Sequence, residues 1–278
     1  GSLGGNVAGT GTVSIADAQG VGTIDDDDAA PEITVSAGTG TEAGDITFTF
    51  SVDKTPETGF DAVVDWAAAD DTSPSALSTA NQDYTANTGT VTFTNGGAGA
   101  DQDITISSSA DTIDEVDETF TLTLDGTSLS DATFAGGSTT DVEATGTITD
   151  DDAAPLVYIT DVTQAETEAS QSFTFTAALD NSANGGSNPG VSEKTVTVDY
   201  ATSAGDTEPA TAGSDYTAIG TTELTIAAAA SSNTIDVTVA GDTTDEPDQE
   251  FKVTLSNAAN ATLDTNDDRS EERRVGKE

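Results

Sequence analysis

Acidic side chains crowd one short stretch of the sequence, directly before a strand-like segment. Five carboxylates stand within eight residues, at Asp111, Asp114, Glu115, Asp117 and Glu118. Two unit charges about 4 Å apart repel by roughly 1 kcal/mol even in water, so such a cluster favours a bound cation. Ca²⁺ takes about six to eight oxygen ligands in flexible geometry, whereas Mg²⁺ requires a tighter octahedron and keeps its waters. The stretch therefore predicts a Ca²⁺ site.

The same arrangement occurs twice in the chain. Apolar residues alternate with threonines over 119–124, as in a half-buried strand, and a second acidic stretch leads into a similar alternation within 242–255. The run Asp-Asp-Asp-Ala-Ala-Pro that ends at Pro155 also ends at Pro31, 124 residues earlier. Self-similarity at a fixed spacing predicts tandem repeats of one structural unit.

This spacing divides the chain into four predicted parts. Residues 1–28 are predicted to be the final strand of a preceding repeat, 29–152 a complete repeat, and 153–268 a second repeat whose last strand is missing. The last ten residues, 269–278, hold four of the seven basic residues. They resemble a translated sequencing adapter, so we expect them to be a non-native tail.

Short alternating segments between Gly, Asp and Ser turns predict seven strands in the first repeat and six in the second. They indicate an all-β fold of tandem immunoglobulin-like, seven-stranded antiparallel β-sandwiches. In the first repeat the predicted strands are Glu32–Val35, Ile46–Val52, Ala62–Ala67, Gly89–Phe93, Asp103–Ile106, Thr119–Leu124 and Val142–Thr149. In the second they are Leu156–Ile159, Phe173–Leu179, Thr195–Tyr200, Thr222–Ile226, Thr234–Val239 and Glu250–Leu255.

The composition limits the possible partners and chemistry. With 51 acidic and 7 basic residues, the formal net charge of -44 repels nucleic acid and anionic membranes, so neither is an expected partner. The chain has neither cysteine nor histidine, which removes disulfides, thiol chemistry and the commonest general base. No apolar run reaches membrane-spanning length, so we expect no direct membrane insertion. High charge is also typical of disorder, but the regular apolar alternation favours a folded chain.

Several features together resemble the Calx-β family, modules named after sodium–calcium exchangers and also found in bacterial surface proteins. The features are Asp83 with Tyr84, the strand 89–93, the acidic stretch and strand 111–120, and the closing residues 148–152. The resemblance covers the first repeat, most of the second and the end of a preceding one. It implies a seven-stranded sandwich that binds Ca²⁺ at one end.

The resemblance also implies the ligands. In the first repeat they are Glu42, Asp83, Asp111, Glu115, Glu118, Asp150, Asp151 and Asp152. In the second repeat they are Glu166, Asp215, Asp242 and Glu246. The match is incomplete: Ala110 and Gly241 stand where the family has an additional aspartate, and Gln249 stands where an acid is expected. The second site lacks the closing aspartates as well.

We therefore expect a non-enzymatic module of a larger extracellular or cell-surface protein, in which Ca²⁺ stiffens a structural or adhesive stalk. Its expected partners are calcium ions, neighbouring repeats of the same chain, and a host or cell-surface ligand bound through other domains. The alternative is a regulatory calcium sensor of a membrane transporter or a cell-communication protein. A third interpretation is that the acidic composition is an adaptation to high salt and that the chain has no specific ion site. A glycosidase, which also uses paired carboxylates, is disfavoured because the acids lie within one loop and few aromatics could line a sugar cleft.

Overall fold

The computed structural model describes residues 19–71, 83–95 and 100–265, which form two successive β-sandwiches. The first contains β1 (Glu32–Val35), β2 (Gly38–Thr41), β3 (Asp45–Val52), β4 (Ala62–Asp70), β5 (Thr88–Phe93), β6 (Gln102–Ser107), β7 (Glu118–Leu124), β8 (Thr133–Phe134) and β9 (Val142–Thr149), with a 3₁₀ turn at Ala135–Gly137. The second contains β10 (Leu156–Ile159), β11 (Gln171–Asp180), β12 (Val196–Ala204), β13 (Thr222–Ile226), β14 (Ser232–Val239), β15 (Phe251–Ala259) and β16 (Thr262–Leu263), with a 3₁₀ turn at Ser182–Asn184. The all-β sandwich prediction is confirmed.

Two sheets face each other in the first sandwich. One has the order β6-β3-β1-β8 and the other the order β2-β9-β7-β4-β5. All seven predicted strands are present, and β2 and β8 are additional short strands. Both pair in parallel, β2 with β9 and β8 with β1, at the edges of sheets whose other strand pairs are antiparallel. The parallel pair β2–β9 brings the chain after β2 to the end of the sandwich where β9 finishes.

The alternating pattern accounts for the core between these sheets. Ile46, Phe48 and Phe50 on β3 are fully buried, while the threonines between them point away from the core. Tyr84 stacks on Phe120 of β7 with ring centroids 4.4 Å apart, which adds an aromatic contact to the burial of apolar area. On the adjacent strand β9, the residue paired with Phe120 is Gly146.

This glycine is required by its neighbour. A Cβ atom built on Gly146 would lie 2.3 Å from Cζ of Phe120, far inside van der Waals contact. The two residues are paired across β7 and β9. Any strand that occupies the β9 position therefore needs glycine opposite this phenylalanine.

Among the described residues, the second sandwich repeats the first with seven strands instead of nine. Its sheets have the orders β14-β11-β10-β16 and β13-β12-β15. Tyr216 stacks on Phe251 at 4.7 Å, as Tyr84 stacks on Phe120. Within the described part of the chain, β15 pairs only with β12, whereas its counterpart β7 pairs on both edges.

The loop between β11 and β12 connects the two sandwiches. Its residue Asn181 donates from Nδ2 to the Thr112 carbonyl at 2.9 Å, and the Glu193 amide donates to the Asp114 carbonyl at 3.1 Å. Asn184 Nδ2 also donates to the carbonyl of Ala153 in the linker, at 2.7 Å. The second sandwich therefore rests directly on the acidic loop of the first.

Two predictions concern the ends of the chain, and a third concerns the membrane. Residues 19–28 form no strand and are exposed, and 1–18 lie outside the described residues, so the preceding-repeat strand stays a prediction. The predicted tail 269–278 also lies outside them. Among the described residues, no helix is long and apolar enough to span a membrane.

Candidate metal centre

Three chain segments meet at one end of the first sandwich and place the predicted ligands there. Glu42 directly follows β2, and its amide donates to the Thr149 carbonyl of β9 at 3.2 Å. The Ser109 amide donates to the Asp83 carbonyl at 2.8 Å, which fixes the segment that carries Asp83 beside the acidic loop. Glu118 begins β7 opposite Ile148 of β9. Backbone pairing, rather than attraction between the acids, therefore gathers these carboxylates.

The first set of acids is buried. We call Asp83, Glu115 and Glu118 the inner group: their carboxylate oxygens lie within 4.8 Å of one another and all three residues are less than a tenth exposed. Burial, followed by the charge of Asp111, raises the pKa of Glu115 to about 9. Burial, followed by the charge of Asp83, raises the pKa of Glu118 to about 8. Without a cation, Glu115 and Glu118 hold protons at neutral pH.

A second set lies closer to solvent. We call Glu42, Asp111 and Asp152 the rim group, and their carboxylate oxygens also lie within 4.8 Å of one another. Burial and the charge of Asp111 raise the pKa of Glu42 to about 7. The Asp111 carboxylate accepts the Ile113 amide at 2.7 Å, which fixes its orientation.

Asp152 supplies an independent sign that this end of the sandwich is built for a cation. Its Oδ2 atom is buried and has no hydrogen-bond partner. Burial, followed by repulsion from Asp111, Asp150 and Asp151, raises its pKa. A buried carboxylate oxygen without a partner costs free energy, which a bound cation would recover.

A cavity of about 20 Å³ connects the two groups, lined by Glu42, Asp83, Asp111, Glu115 and neighbouring residues. This is enough room for a single water-sized species. Every charged group in its wall is a carboxylate, and carboxylate oxygens are the ligands that Ca²⁺ prefers. The donors therefore fit Ca²⁺, and Glu42 and Glu115 would exchange their protons for the ion.

The remaining predicted ligands of the first repeat differ in position. Asp150 accepts a hydrogen bond, 3.3 Å long, from the ammonium group of Lys194 in the second sandwich. Asp151 is exposed to solvent. Asp114 was not among the predicted ligands, yet it is only 4% exposed and lies 2.8 Å from Lys194. Lys194 was overlooked too. The one feature of the sequence that could have pointed to Lys194 is the scarcity of basic residues, of which the chain has only seven.

The acids of the second repeat are neighbours but form a looser arrangement. The Asp242 amide donates to Glu166 Oε1 at 3.1 Å, and desolvation together with the charges of Asp242, Asp215 and Glu166 raises the pKa of Glu246. Asp242, Glu246 and Glu166 are nevertheless exposed. Among the described residues of this repeat, no three acids meet within 4.8 Å.

The fold and the site together define a class of protein, namely a β-sandwich that carries a cluster of carboxylates at one end. The Calx-beta domain model matches residues 26–152 and 186–271, together more than half of the chain. The chain therefore belongs to the Calx-beta domain family. Calx-beta domains bind Ca²⁺, and the acid groups of the first repeat are suited to that ion.

The solved structures that the chain resembles include domains of Calx proteins. The crystal structure of CBD12 from CALX1.2 is 23% identical over 77% of this chain and 74% of its own, with a TM-score of 0.30. The calcium binding domain CBD12 of CALX1.1 is 22% identical over 83% and 81%, with a TM-score of 0.32. The apo-form Calx CBD1 domain is 22% identical over 45% of this chain and all of its own, with a TM-score of 0.34. No curated protein sequence gave a significant match.

Proposed function

We propose that the first repeat binds Ca²⁺ through the inner and rim groups, and that the ion stiffens its junction with the second repeat. The observation that supports this is the position of the acidic loop, which supplies the metal donors and also contacts the next sandwich. The proposed ligands Asp111 and Glu115 stand next to the residues that contact the second sandwich. Thr112 accepts a hydrogen bond from Asn181, and Asp114 accepts hydrogen bonds from Glu193 and Lys194. An ion that orders this loop therefore orders the junction as well.

Asp150, Asp151 and Asp152 extend the same mechanism to the linker. Only three residues, 153–155, separate Asp152 from β10, and three residues span at most about 10 Å. Without a cation, these aspartates repel Asp111 and one another. With Ca²⁺ shared between Asp152 and the rim group, the linker is fastened to the body of the first sandwich.

The role we propose is a non-enzymatic, calcium-stiffened structural or adhesive module of a larger extracellular or cell-surface protein. Successive sandwiches joined by short linkers suit a stalk, and extracellular calcium modules bind at roughly 10⁻⁴–10⁻³ M. A host or cell-surface ligand would be bound by other domains of such a protein.

Small-angle scattering tests the stiffening. We expect a narrower range of shapes and a larger maximum dimension in millimolar Ca²⁺ than in chelator, with Mg²⁺ close to the chelator state. Identical profiles in Ca²⁺ and chelator would contradict the mechanism and leave Ca²⁺ as a local stabiliser only.

A regulatory sensor is the second candidate, because Lys194 links the acidic loop to a neighbouring domain that could relay the state of the site. Affinity separates the two roles, since sensors bind Ca²⁺ at roughly 10⁻⁷–10⁻⁵ M. Calorimetric titration of the 278-residue chain in low salt and in high KCl measures this affinity. A dissociation constant near 10⁻³ M favours the stalk and one near 10⁻⁶ M the sensor, whereas loss of all binding in KCl favours salt adaptation.

A further inference from the structure

The loop between β11 and β12 carries an acidic residue of the second sandwich to the edge of the inner group. The Glu193 amide donates to the Asp114 carbonyl at 3.1 Å, and Asp114 directly precedes Glu115 in the chain. Asp114 also forms an isolated parallel bridge with Ser192. Backbone pairing between the two sandwiches therefore places Glu193 beside Glu115, a member of the inner group.

Both neighbours of Glu193 are fixed to the acidic loop by their side chains. Ser192 Oγ lies 3.1 Å from the Asp114 carbonyl oxygen and 3.3 Å from Asp114 Oδ2. Lys194 Nζ lies 2.8 Å from Asp114 Oδ1. Contacts on either side, together with its own amide, therefore hold residue 193 at the acidic loop.

The charge of Glu193 acts on two acids of the inner group. Burial raises the pKa of Glu115 most, followed by the charges of Asp111 and Glu193. Burial and the effects of Asp83 raise the pKa of Glu118, and the charge of Glu193 adds to them. Because both acids respond to it, the carboxylate of Glu193 lies on the side of the loop that faces the inner group.

No lysine of the described residues hydrogen-bonds to the inner group or to Glu193. The hydrogen bonds of the three lysines in this part of the chain all go to other acceptors. These lysines are Lys54, Lys194 and Lys252. Like charges at such short range cost free energy, which a cation bound between them would recover.

We propose that Glu193 of the second sandwich is a calcium ligand of the first, so that one ion bridges the two repeats. Ca²⁺ takes about six to eight oxygen ligands, more than three monodentate carboxylates of the inner group supply. Glu193 is not among the three acids whose oxygens already meet within 4.8 Å, and rotation of its half-buried side chain brings its carboxylate to the ion.

This inference rests on the calcium binding proposed above and adds a second way in which the ion holds the junction. An ion bound only by the first sandwich acts on the junction through the order of the acidic loop. An ion that also binds Glu193 joins the two sandwiches directly, since each of them supplies ligands.

Two matched variants of the full chain test the role of Glu193. Glu193→Gln removes the charge and keeps both the size of the side chain and the backbone amide that contacts Asp114. Glu223→Gln removes the same charge from an exposed position on β13 of the second sandwich. Calorimetric titration with Ca²⁺ should show binding to the first repeat that is at least about tenfold weaker for Glu193→Gln, and wild-type affinity for Glu223→Gln. Equal affinities of the three proteins would overturn the proposal.

Tb³⁺ distinguishes a ligand from a nearby charge. This ion replaces Ca²⁺ among oxygen ligands, and its luminescence lifetimes in H₂O and D₂O count the waters bound to it. At one equivalent of Tb³⁺, Glu193→Ala should carry at least one more bound water than the wild type and Glu223→Ala. Equal hydration of the three proteins would overturn direct binding by Glu193 even if the affinities differed, because a charge that is not a ligand leaves the bound waters unchanged.

The wild type separates this inference from the proposed function. A wild-type chain that binds no Ca²⁺ would overturn both. Calcium binding by the wild type that does not respond to the Glu193 variants would overturn the bridging ligand alone and retain the site of the first repeat.

Discussion

Lys194 Nζ lies 2.8 Å from Asp114 Oδ1, so a cation of the second sandwich sits within the acidic loop of the first. The same ammonium group reaches Asp150 Oδ2 at 3.3 Å, and Ser192 Oγ donates to the Asp114 carbonyl at 3.1 Å. Burial alone lowers the pKa of Lys194, but the two carboxylates more than offset this and raise it. One positive charge of the neighbouring repeat therefore offsets part of the negative charge at the junction.

Lys194→Gln should weaken this junction. The change leaves Asp114, which is only 4% exposed, as a buried carboxylate without its cation. Leaving a buried acceptor without its partner costs about 1–3 kcal/mol, and more when the acceptor is charged. Urea unfolding in chelator should show an earlier first transition, and small-angle scattering should show a wider range of shapes.

Lys252→Gln is the matched control. Lys252 pairs with Asp206, whose side chain is 79% exposed, and exposed pairs contribute about 0–1 kcal/mol. If both variants unfold alike, the Lys194 contact has no special role at the junction.

The sequence predicted the features that depend on local pattern. Alternating apolar residues such as Phe48 and Phe50 predicted the long strands, because burial on one face is written directly into every second residue. The two-residue strand β8 and the Gly-Thr repeat of β2 have no such pattern, and they form because neighbouring strands present their edges.

Contacts between the two repeats could not be predicted from the sequence. The acidic stretch indicated a cation site, and six of its eight predicted ligands lie in the inner and rim groups. Nothing in the spacing of Asp114 and Lys194, which are 80 residues apart, indicates that they meet. Their pairing depends on how one sandwich docks on the next.

Glu115→Gln should reduce the calcium affinity of the first repeat more than Asp141→Asn does. Glu115 is 5% exposed and lies within the inner group, whereas exposed Asp141 accepts the Gly126 amide at 2.9 Å, away from both groups. At 100 times its dissociation constant, Ca²⁺ adds roughly 2.7 kcal/mol to the stability of the native state. Wild type and Asp141→Asn should therefore melt several degrees higher in Ca²⁺, and Glu115→Gln should gain much less. Equal affinities of the two variants in calorimetry would refute the ligand assignment.

The metal-free first repeat should lose stability as the pH rises. The pKa values of Glu115 and Glu118 are raised from 4.5 to about 9 and about 8, so the native state binds more protons than the unfolded state between these limits. The free energy of unfolding then falls with increasing pH. Melting temperatures in chelator should decrease from about pH 6 to about pH 9, and Ca²⁺, which replaces the protons, should flatten the decrease.

Glu115→Gln provides the control for this pH dependence. The amide cannot ionise, so the slope in chelator should become shallower than in wild type. Calcium affinity of the wild type should also rise with pH over the same window, because protons compete for the ligands. A melting temperature independent of pH in chelator would show that Glu115 and Glu118 are ionised without a cation.

The second repeat should bind Ca²⁺ more weakly than the first, and one substitution should strengthen it. Its acids Glu166, Asp242 and Glu246 are exposed, and neutral Gln249 occupies the position of Glu118. Gln249→Glu restores a carboxylate there, and one further negative charge about 4 Å from a divalent ion adds roughly 2 kcal/mol in water, which is about thirtyfold in affinity. Calorimetry on dilute chain should show a tighter second phase for this variant. Gln102→Glu is the control, because it adds the same charge to the first sandwich, and it should leave the second phase unchanged. If the second phase responded equally to both changes, net charge would attract the ion, and not a site formed by the acids of the second sandwich.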